Sequence, residues 1–260
     1  MSIEMSDKKL CTAVILAGGS GRRMKNGVAK QFMLLGGKPL LWYSLRAVQQ
    51  SEIIDDCILV AGKGGEAGDQ AQADALGYVS REIVEKYGFT KVTAIIAGGT
   101  ERCWSVENAM ALLRRRQEQS SGQDRGGYVF IHDSARPFLT EDILRRTYEA
   151  VQKHHACVAA MPSKDTVKIA DADGFAASTP DRSRVWNIQT PQVFDIDLIT
   201  EAYDRLRRQC NPSAPSPVTD DAGVVERYTD VKVKLVEGSY QNIKITTPED
   251  IRVAEAFLDR

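Results

Sequence analysis

The sequence predicts an α/β fold: a doubly wound, mostly parallel sheet with helices on both faces. Three observations carry that expectation. Short continuous apolar runs recur along the chain, as they do in strands buried on both faces. Stretches with helical apolar spacing alternate with them. Each of the three best-defined turns after a strand is polar or glycine-rich, and ligands in such sheets bind outside the carboxyl ends of the strands.

The strand-like runs are Ala13–Leu16, Ile58–Ala61, Val92–Ala97, Tyr128–His132 and Val158–Met161, and the helical patterns between them cover Leu40–Gln50, Ala71–Tyr87, Ser105–Gln117 and Glu141–His154. Beyond about residue 162 the alternation changes. Asp165–Ile169 and Val185–Ile188 are short β-like runs around the polar segment Asp171–Arg184, the pattern of a hairpin-like arm leaving the sheet at about 163–190. Asp197–Arg208 returns to helix, Gln209–Val218 with its three prolines reads as a loop, and Val231–Val236 alternates as a strand should. Thr247-Pro248-Glu249-Asp250 opens a last helix, with proline in the first turn and acids at the positive end of the dipole. No internal repeat or second core is evident, so 1–260 is expected to be one domain carrying the arm.

Composition narrows the function classes. The 260 residues are 43% hydrophobic, enough for a sizeable core, and 34 basic against 35 acidic residues leave a net charge of −1. That balance offers no electrostatic case for nucleic-acid or membrane binding. No apolar run approaches the length of a membrane span, and MSIEMSDKK lacks the apolar stretch of a signal peptide. The five cysteines are widely spaced without a C-x-x-C pair, and the three histidines are too few for a multi-histidine metal centre. A cytoplasmic, reduced protein is the expectation.

The most informative stretch is Ala13–Pro39, AVILAGGSGRRMKNGVAKQFMLLGGKP. A buried strand runs into Ala17, Gly18, Gly19, Ser20 and Gly21, followed by Arg22, Arg23 and, further on, Lys30. Small residues let backbone N–H groups approach an anion closely, and the cations supply charge for phosphate oxygens. Two better-known phosphate loops do not fit. Gly37-Lys38 is followed by Pro39 where a Walker A loop needs Ser or Thr. In Gly19-Ser20-Gly21-Arg22-Arg23-Met24, a bulky Met occupies the third small position of a dinucleotide fingerprint. The stretch reads as a nucleoside-triphosphate loop, with a plain glycine-rich strand–helix turn as the alternative.

Three further groups are candidates for chemistry. Asp133, in His132-Asp133-Ser134-Ala135-Arg136, lies at a strand tip and suits Mg2+ ligation, with Arg136 orienting it or touching phosphate; a turn-capping aspartate would look the same. Gly98-Gly99-Thr100-Glu101-Arg102 repeats the small-residue turn, so that a base or ribose can lie against Gly99 and Thr100 with Ser105 nearby, or the glycines merely make a tight turn. Thr166, Arg182 and Thr190 fall on or beside the arm and suit a phosphorylated polyol, although a solvated hairpin uses the same residue types. Lys244 in an apolar alternating segment reads as a rim residue, and Thr219-Asp220-Asp221 as a helix cap with first-turn acids. With no G-x-S-x-G elbow and no nucleophile beside the histidines, covalent catalysis is not expected.

Read jointly, LAGGSGRRM, AKQF, GGTER with Ser105, HDSARPF, KDTVK, DRSRVW, QTPQVF, VTDDA and VEGSYQNIKITTPED resemble the 2-C-methyl-D-erythritol 4-phosphate cytidylyltransferase family, in order from Ala13 to Leu258. The resemblance implies a Rossmann-like nucleotidyltransferase domain, a homodimer in which the arm reaches the neighbour's site, CTP and a polyol phosphate as substrates, and Mg2+ as cofactor. It implies Arg23, Lys30 and Lys244 as catalytic cations and Asp133 as metal ligand. It also implies Ala17, Gly18, Gly19, Gly99, Thr100 and Ser105 around the nucleotide, and Arg136, Thr166, Arg182 and Thr190 around the second substrate. Thr100 stands where members commonly carry Asp, and Gln241 where an acid is sometimes found. A ribitol 5-phosphate cytidylyltransferase is similar across the same motifs, with KDTVK, VTDDA and VEGSYQNIK favouring the methylerythritol enzyme. A nucleotide-binding regulator without turnover is the alternative from another class.

Overall fold

A buried strand, β1 (Cys11–Ala17), runs through the middle of the molecule, every one of its residues shielded from solvent. The computed structural model describes residues 8–18, 30–62, 69–119, 126–211 and 216–258. Alternate side chains of β1 enter two separate cores, Ala13, Ile15 and Ala17 on one face and Val14 and Leu16 on the other. Full burial of a side chain such as Ile15 contributes about 1.5–3 kcal/mol, which is why a run apolar at every position becomes a central strand.

Among the described residues the main sheet has seven strands. With β4 (Asp56–Ala61), β5 (Val92–Ala97), β6 (Tyr128–Asp133), β7 (Ala156–Pro162), β10 (Trp186–Asp195) and β11 (Lys234–Glu237), the order is β11-β7-β10-β6-β1-β4-β5. β1, β4, β5 and β6 are mutually parallel, whereas β10 runs antiparallel between β6 and β7. Helices α1 (Leu40–Gln50) and α4 (Glu141–His154) cover one face, and α3 (Arg102–Gln119), α5 (Ile196–Gln209) and α6 (Asp221–Tyr228) the other. β4 and β6 flank β1 on opposite sides, so the strand order reverses there and opens a crevice at the carboxyl ends of β1 and β6. Leu16 and Asp133 are register partners at that edge.

The local differences from the sequence reading have physical causes. A two-stranded hairpin, β2 (Leu34–Leu35) and β3 (Lys38–Pro39), turns through Gly36 and Gly37, both at positive φ. The helix expected over Ala71–Tyr87 is α2 (Asp69–Val79) continued by a π-helical stretch, Ser80–Glu85. The arm segment contains β8 (Ile169–Ala170) and β9 (Ala176–Ser178), a small antiparallel pair whose turn is held by Asp171 accepting from the Asp173 and Phe175 N–H groups. Trp186 onward is a long main-sheet strand rather than a short arm strand. Gln189, Thr190 and Gln192 are therefore buried beside β6 and β7. β11 begins at Lys234, later than the alternating pattern from Val231 proposes.

The last helix, α7 (Pro248–Leu258), packs on the β2–β3 hairpin through a small core of Leu35, Leu40, Ile245 and Ala254. Its start is fixed by the Asp250 carboxylate, which accepts from the N–H groups of Thr246 and Thr247. Among the described residues no helix is long and apolar enough to cross a membrane. The cysteines are free thiols, four of them buried.

Candidate active site

The carboxyl ends of β1, β4 and β5 meet backbone to backbone. A Cβ on Gly18 would lie 2.7 Å from the Gly62 carbonyl oxygen, and one on Gly98 would lie 2.6 Å from the same atom. Gly62 sits at φ +73°, and the Gly98 N–H donates to the Ala61 carbonyl at 3.1 Å. Glycine at 18 and 98 is therefore a packing requirement, and it leaves a side-chain-free floor at the crevice. Gly62 is a third member of that floor, which a loop-like glycine beside Lys63-Gly64 gave no local sign of in the sequence.

Beyond Gly98, Gly99 abuts the first turn of α3, where a Cβ would lie 2.5 Å from the Trp104 Cβ. The buried Ser105 hydroxyl accepts from the Gly99 N–H at 2.9 Å and donates to the Glu101 carbonyl at 3.0 Å. The tight-turn reading of this segment therefore describes its geometry. The glycines make a tight turn, and Ser105 acts on its shape, with its proton already committed to the protein. Ala17 is buried at the end of β1, and Thr100 is exposed at the turn. Gly19 and Arg23 lie outside the described residues. Lys30 opens a 3-10 turn, Lys30–Phe32, and its side chain lies outside the description as well.

At the tip of β6 stands a cluster of charge. Asp133 is buried, with Lys244 Nζ 2.6 Å from Oδ2 and Arg102 Nε 3.0 Å from Oδ1. Burial by itself would raise its pKa, but the two cations more than reverse this and hold it well below the usual carboxylate range. The turn-capping alternative for Asp133 does not describe this side chain, whose oxygens face cations. Arg102 also donates from Nη2 to Asp221 Oδ2 at 2.8 Å, and the Tyr203 hydroxyl donates to Asp221 Oδ1 at 2.7 Å. The N-cap of α6 is Asp220, one residue later than the cap-plus-acids reading of Thr219-Asp220-Asp221 implies, and Asp221 is a fully buried ion-pair partner.

Lys244 is delivered by its neighbours. Ile243 and Ile245 pack into the core under α7, and the Ile245 N–H donates to the Ala135 carbonyl at 2.9 Å. Arg136 donates to the carbonyls of Asn242, at 2.8 Å, and Ile188, at 3.3 Å. The structure therefore uses Arg136 to tie the extended segment bearing Lys244 to β6 and β10. Its Nε is buried without a partner, and burial lowers its pKa. The half-exposed Lys244 head then reaches Asp133 across a fixed backbone.

His132, fully enclosed, organises the other side. Its Nε2 faces the Arg136 carbonyl at 3.0 Å, and a carbonyl only accepts, so Nε2 carries the proton. Nδ1 is then the acceptor for the Thr190 hydroxyl at 3.0 Å, and the Thr190 oxygen accepts from the Asp133 N–H at 3.2 Å. Burial pulls the His132 pKa down to about 4, which keeps this tautomer neutral. Thr190 is thus buried and engaged with the protein beside Asp133. Thr166 and Arg182 lie exposed on the segment leading to and from the β8–β9 pair, where Arg182 Nη1 donates to the Lys164 carbonyl at 3.4 Å. The structure brings together Ala17, Gly18, Gly99, Ser105, Asp133, Arg136, Thr190 and Lys244 at one sheet edge, with Thr166 and Arg182 on the outlying segment.

Among the described residues no group of three or more His, Cys, Asp or Glu side chains could hold a metal ion. A single ionised carboxylate is nevertheless a fit donor for Mg2+, which takes one or two carboxylates and completes its shell with water and substrate phosphates. Each Asp133 oxygen carries one hydrogen bond and keeps acceptor capacity.

Comparison with known proteins gives this geometry a family. Residues 11–260 match the family model IspD, 2-C-methyl-D-erythritol 4-phosphate cytidylyltransferase. The chain belongs to that family. The 2-C-methyl-D-erythritol 4-phosphate cytidylyltransferase of Lachnospira eligens is 49% identical over 247 residues, spanning 95% of this chain and 98% of that protein. The corresponding protein of Lachnoclostridium phytofermentans is 42% identical over 247 residues, with 95% of each chain covered. Among solved structures, the 4-diphosphocytidyl-2C-methyl-D-erythritol synthase of Anaerococcus prevotii superposes with a TM-score of 0.76 at 34% identity, covering 100% of both chains. The α/β nucleotidyltransferase fold expected of the sequence is the one these cytidylyltransferases share. Arg102, Asp221, Tyr203 and His132 are site residues to which sequence reasoning gave no role. The only signals were the position of Arg102 after the glycine turn and the acid pair in VTDDA.

Proposed function

We propose that this chain transfers the cytidylyl group of CTP to 2-C-methyl-D-erythritol 4-phosphate, giving CDP-methylerythritol and pyrophosphate in the non-mevalonate route to isoprenoid precursors. The observation that carries the reading is the Lys244–Asp133–Arg102 cluster beside the glycine floor, at the strand edge where this family's fold binds ligands. A phosphate oxygen of methylerythritol phosphate attacks the α-phosphorus of CTP in line. The new P–O bond forms as the α–β anhydride bond breaks, and pyrophosphate leaves with the electron pair. The nucleophile is already anionic, so no general base is needed. Alignment and charge neutralisation are what the protein supplies.

Lys244 and, by family resemblance, Arg23 and Lys30 are the cations assigned to the phosphates. Ala17, Gly18, Gly19, Gly99 and Thr100 offer backbone to the nucleotide, with Ser105 shaping the turn. Asp133 is the residue assigned to hold Mg2+, which when bound supplies charge neutralisation at the triphosphate. Arg136, Thr166, Arg182 and Thr190 are assigned to the methylerythritol phosphate side. A homodimer follows from the same reading. The β8–β9 pair is too short to stand alone, and it exposes Ile169 and Phe175, the latter 73% accessible, which a second copy would cover. Free buried thiols and a cytoplasmic nucleotide substrate support a cytoplasmic location.

The test is pyrophosphate release with CTP and Mg2+, run in parallel with methylerythritol 4-phosphate and ribitol 5-phosphate. Turnover with the former is expected. Preference for ribitol 5-phosphate would reassign the substrate, and silence with both, despite CTP binding, would overturn the activity.

A further inference from the structure

Asp221 has no place in the chemistry described so far, yet it is a fully buried carboxylate next to the site. An unpaired charge there would be strongly destabilising, and both of its oxygens are accordingly engaged, by Arg102 Nη2 and by the Tyr203 hydroxyl. The same guanidinium places its Nε on Asp133. One planar fork therefore spans two carboxylates, one behind the site and one in it. The start of α6 is itself fixed to β10. Gln192 accepts from the Ala222 N–H at 2.9 Å and donates to the Asp220 carboxylate at 3.0 Å. The polar chain thus runs from β10 through the first turn of α6 to Arg102 and ends on Asp133. Lys244 is the solvent-facing side of the cluster, its side chain 40% exposed, whereas Asp221 is 0% exposed.

The geometry points to Arg102 as a positioning residue for the transfer, set in place by Asp221 and Tyr203, that holds the Asp133 carboxylate in one orientation with Oδ2 turned to Lys244. The inference rests on the reading that Asp133 and Lys244 act on the bound nucleotide. It assigns Asp221 a role without contact with substrate. It also predicts that lysine cannot replace Arg102, because a point charge cannot bridge both carboxylates at once.

The test is Asp221→Asn, made in the wild-type protein and in Asp133→Asn, with kcat expressed per CTP-binding site counted by calorimetry so that unfolded protein does not enter. In the wild-type background kcat is expected to fall about 10- to 100-fold, the loss of a charge-assisted tether, while the KM for CTP moves by less than about threefold. In the Asp133→Asn background the same change is expected to alter kcat by less than about twofold, because the carboxylate to be positioned is gone. Equal losses in the two backgrounds, or an undiminished kcat in the first, would overturn the inference. If Asp221→Asn does not fold, Arg102→Lys carries the same comparison with the same expected result. Silence of the wild-type protein itself would instead overturn the activity, and this inference with it.

Discussion

Acid should loosen this protein through His132 before it touches the Asp133 carboxylate. The ring is enclosed between Arg136, Thr190 and Asp133, its Nε2–H committed to a carbonyl and its Nδ1 to a hydroxyl donor. A second proton on Nδ1 would remove the acceptor that Thr190 uses and would place a charge in a buried site. Asp133 is the adjacent anion that favours the charged ring and Arg136 the cation that opposes it, but burial outweighs both. The folded pKa of about 4 lies below the ordinary 6.5. The stabilising contribution is therefore complete above pH 6.5 and is lost as pH falls toward 4. The difference amounts to about 3 kcal/mol, a large share of a typical domain's stability. The Asp133 carboxyl, held below the usual range, loses its contribution only at more acidic pH. The assay is urea unfolding at steps from pH 7.5 to 4.5, for the wild-type protein and for His132→Gln. Wild-type stability is expected to fall by most of that amount across the window, and the variant to show a much flatter profile. An equal slope in both proteins would refute the assignment of the buried neutral ring.

Other expectations follow from the floor and the turn. Gly98→Ala forces a methyl against the Gly62 carbonyl and should destabilise the protein by about 1–3 kcal/mol, read as a lowered urea midpoint together with weaker CTP binding. Ser105→Ala leaves the Gly99 N–H without its partner, and the expected cost of about 1 kcal/mol should appear as roughly a fivefold rise in the KM for CTP with kcat little changed. Chelation of divalent cations should abolish pyrophosphate release while leaving the thermal midpoint of the unliganded protein unchanged, since a lone carboxylate binds Mg2+ weakly without phosphates.

Much of the fold was legible because its signals are local. Runs such as Ala13–Leu16 and Tyr128–His132 are apolar at nearly every position, which only a doubly covered strand needs, and α1 and α4 occupy the ranges their periodicity marks. The start of β10 reads as a short arm strand because Val185–Ile188 is adjacent in sequence to the arm, while its pairing with β7 is a long-range event that no local pattern records. The site divides in the same way. Asp133 and the glycines advertise themselves at strand ends. Lys244 looks like a rim residue until Arg136 and the α7 core are seen to deliver it to Asp133. Asp221 has the local signature of any first-turn acid, and its partner Arg102 lies far away in the sequence. The mutual commitment of Ser105 and Thr190 to backbone and to His132 was equally invisible, because a hydroxyl's composition does not say which way its proton points.

The central claim is that Lys244, paired with Asp133 in the structure, works on the phosphates during cytidylyl transfer. The most direct measurement is the single-turnover rate of Lys244→Ala with CTP, methylerythritol 4-phosphate and Mg2+, alongside its CTP affinity. A loss of about 3 kcal/mol of transition-state stabilisation, roughly a hundredfold or more in rate with CTP affinity reduced far less, is the result this account predicts. A rate within about twofold of wild type would contradict it, for the ion pair would then be structural alone.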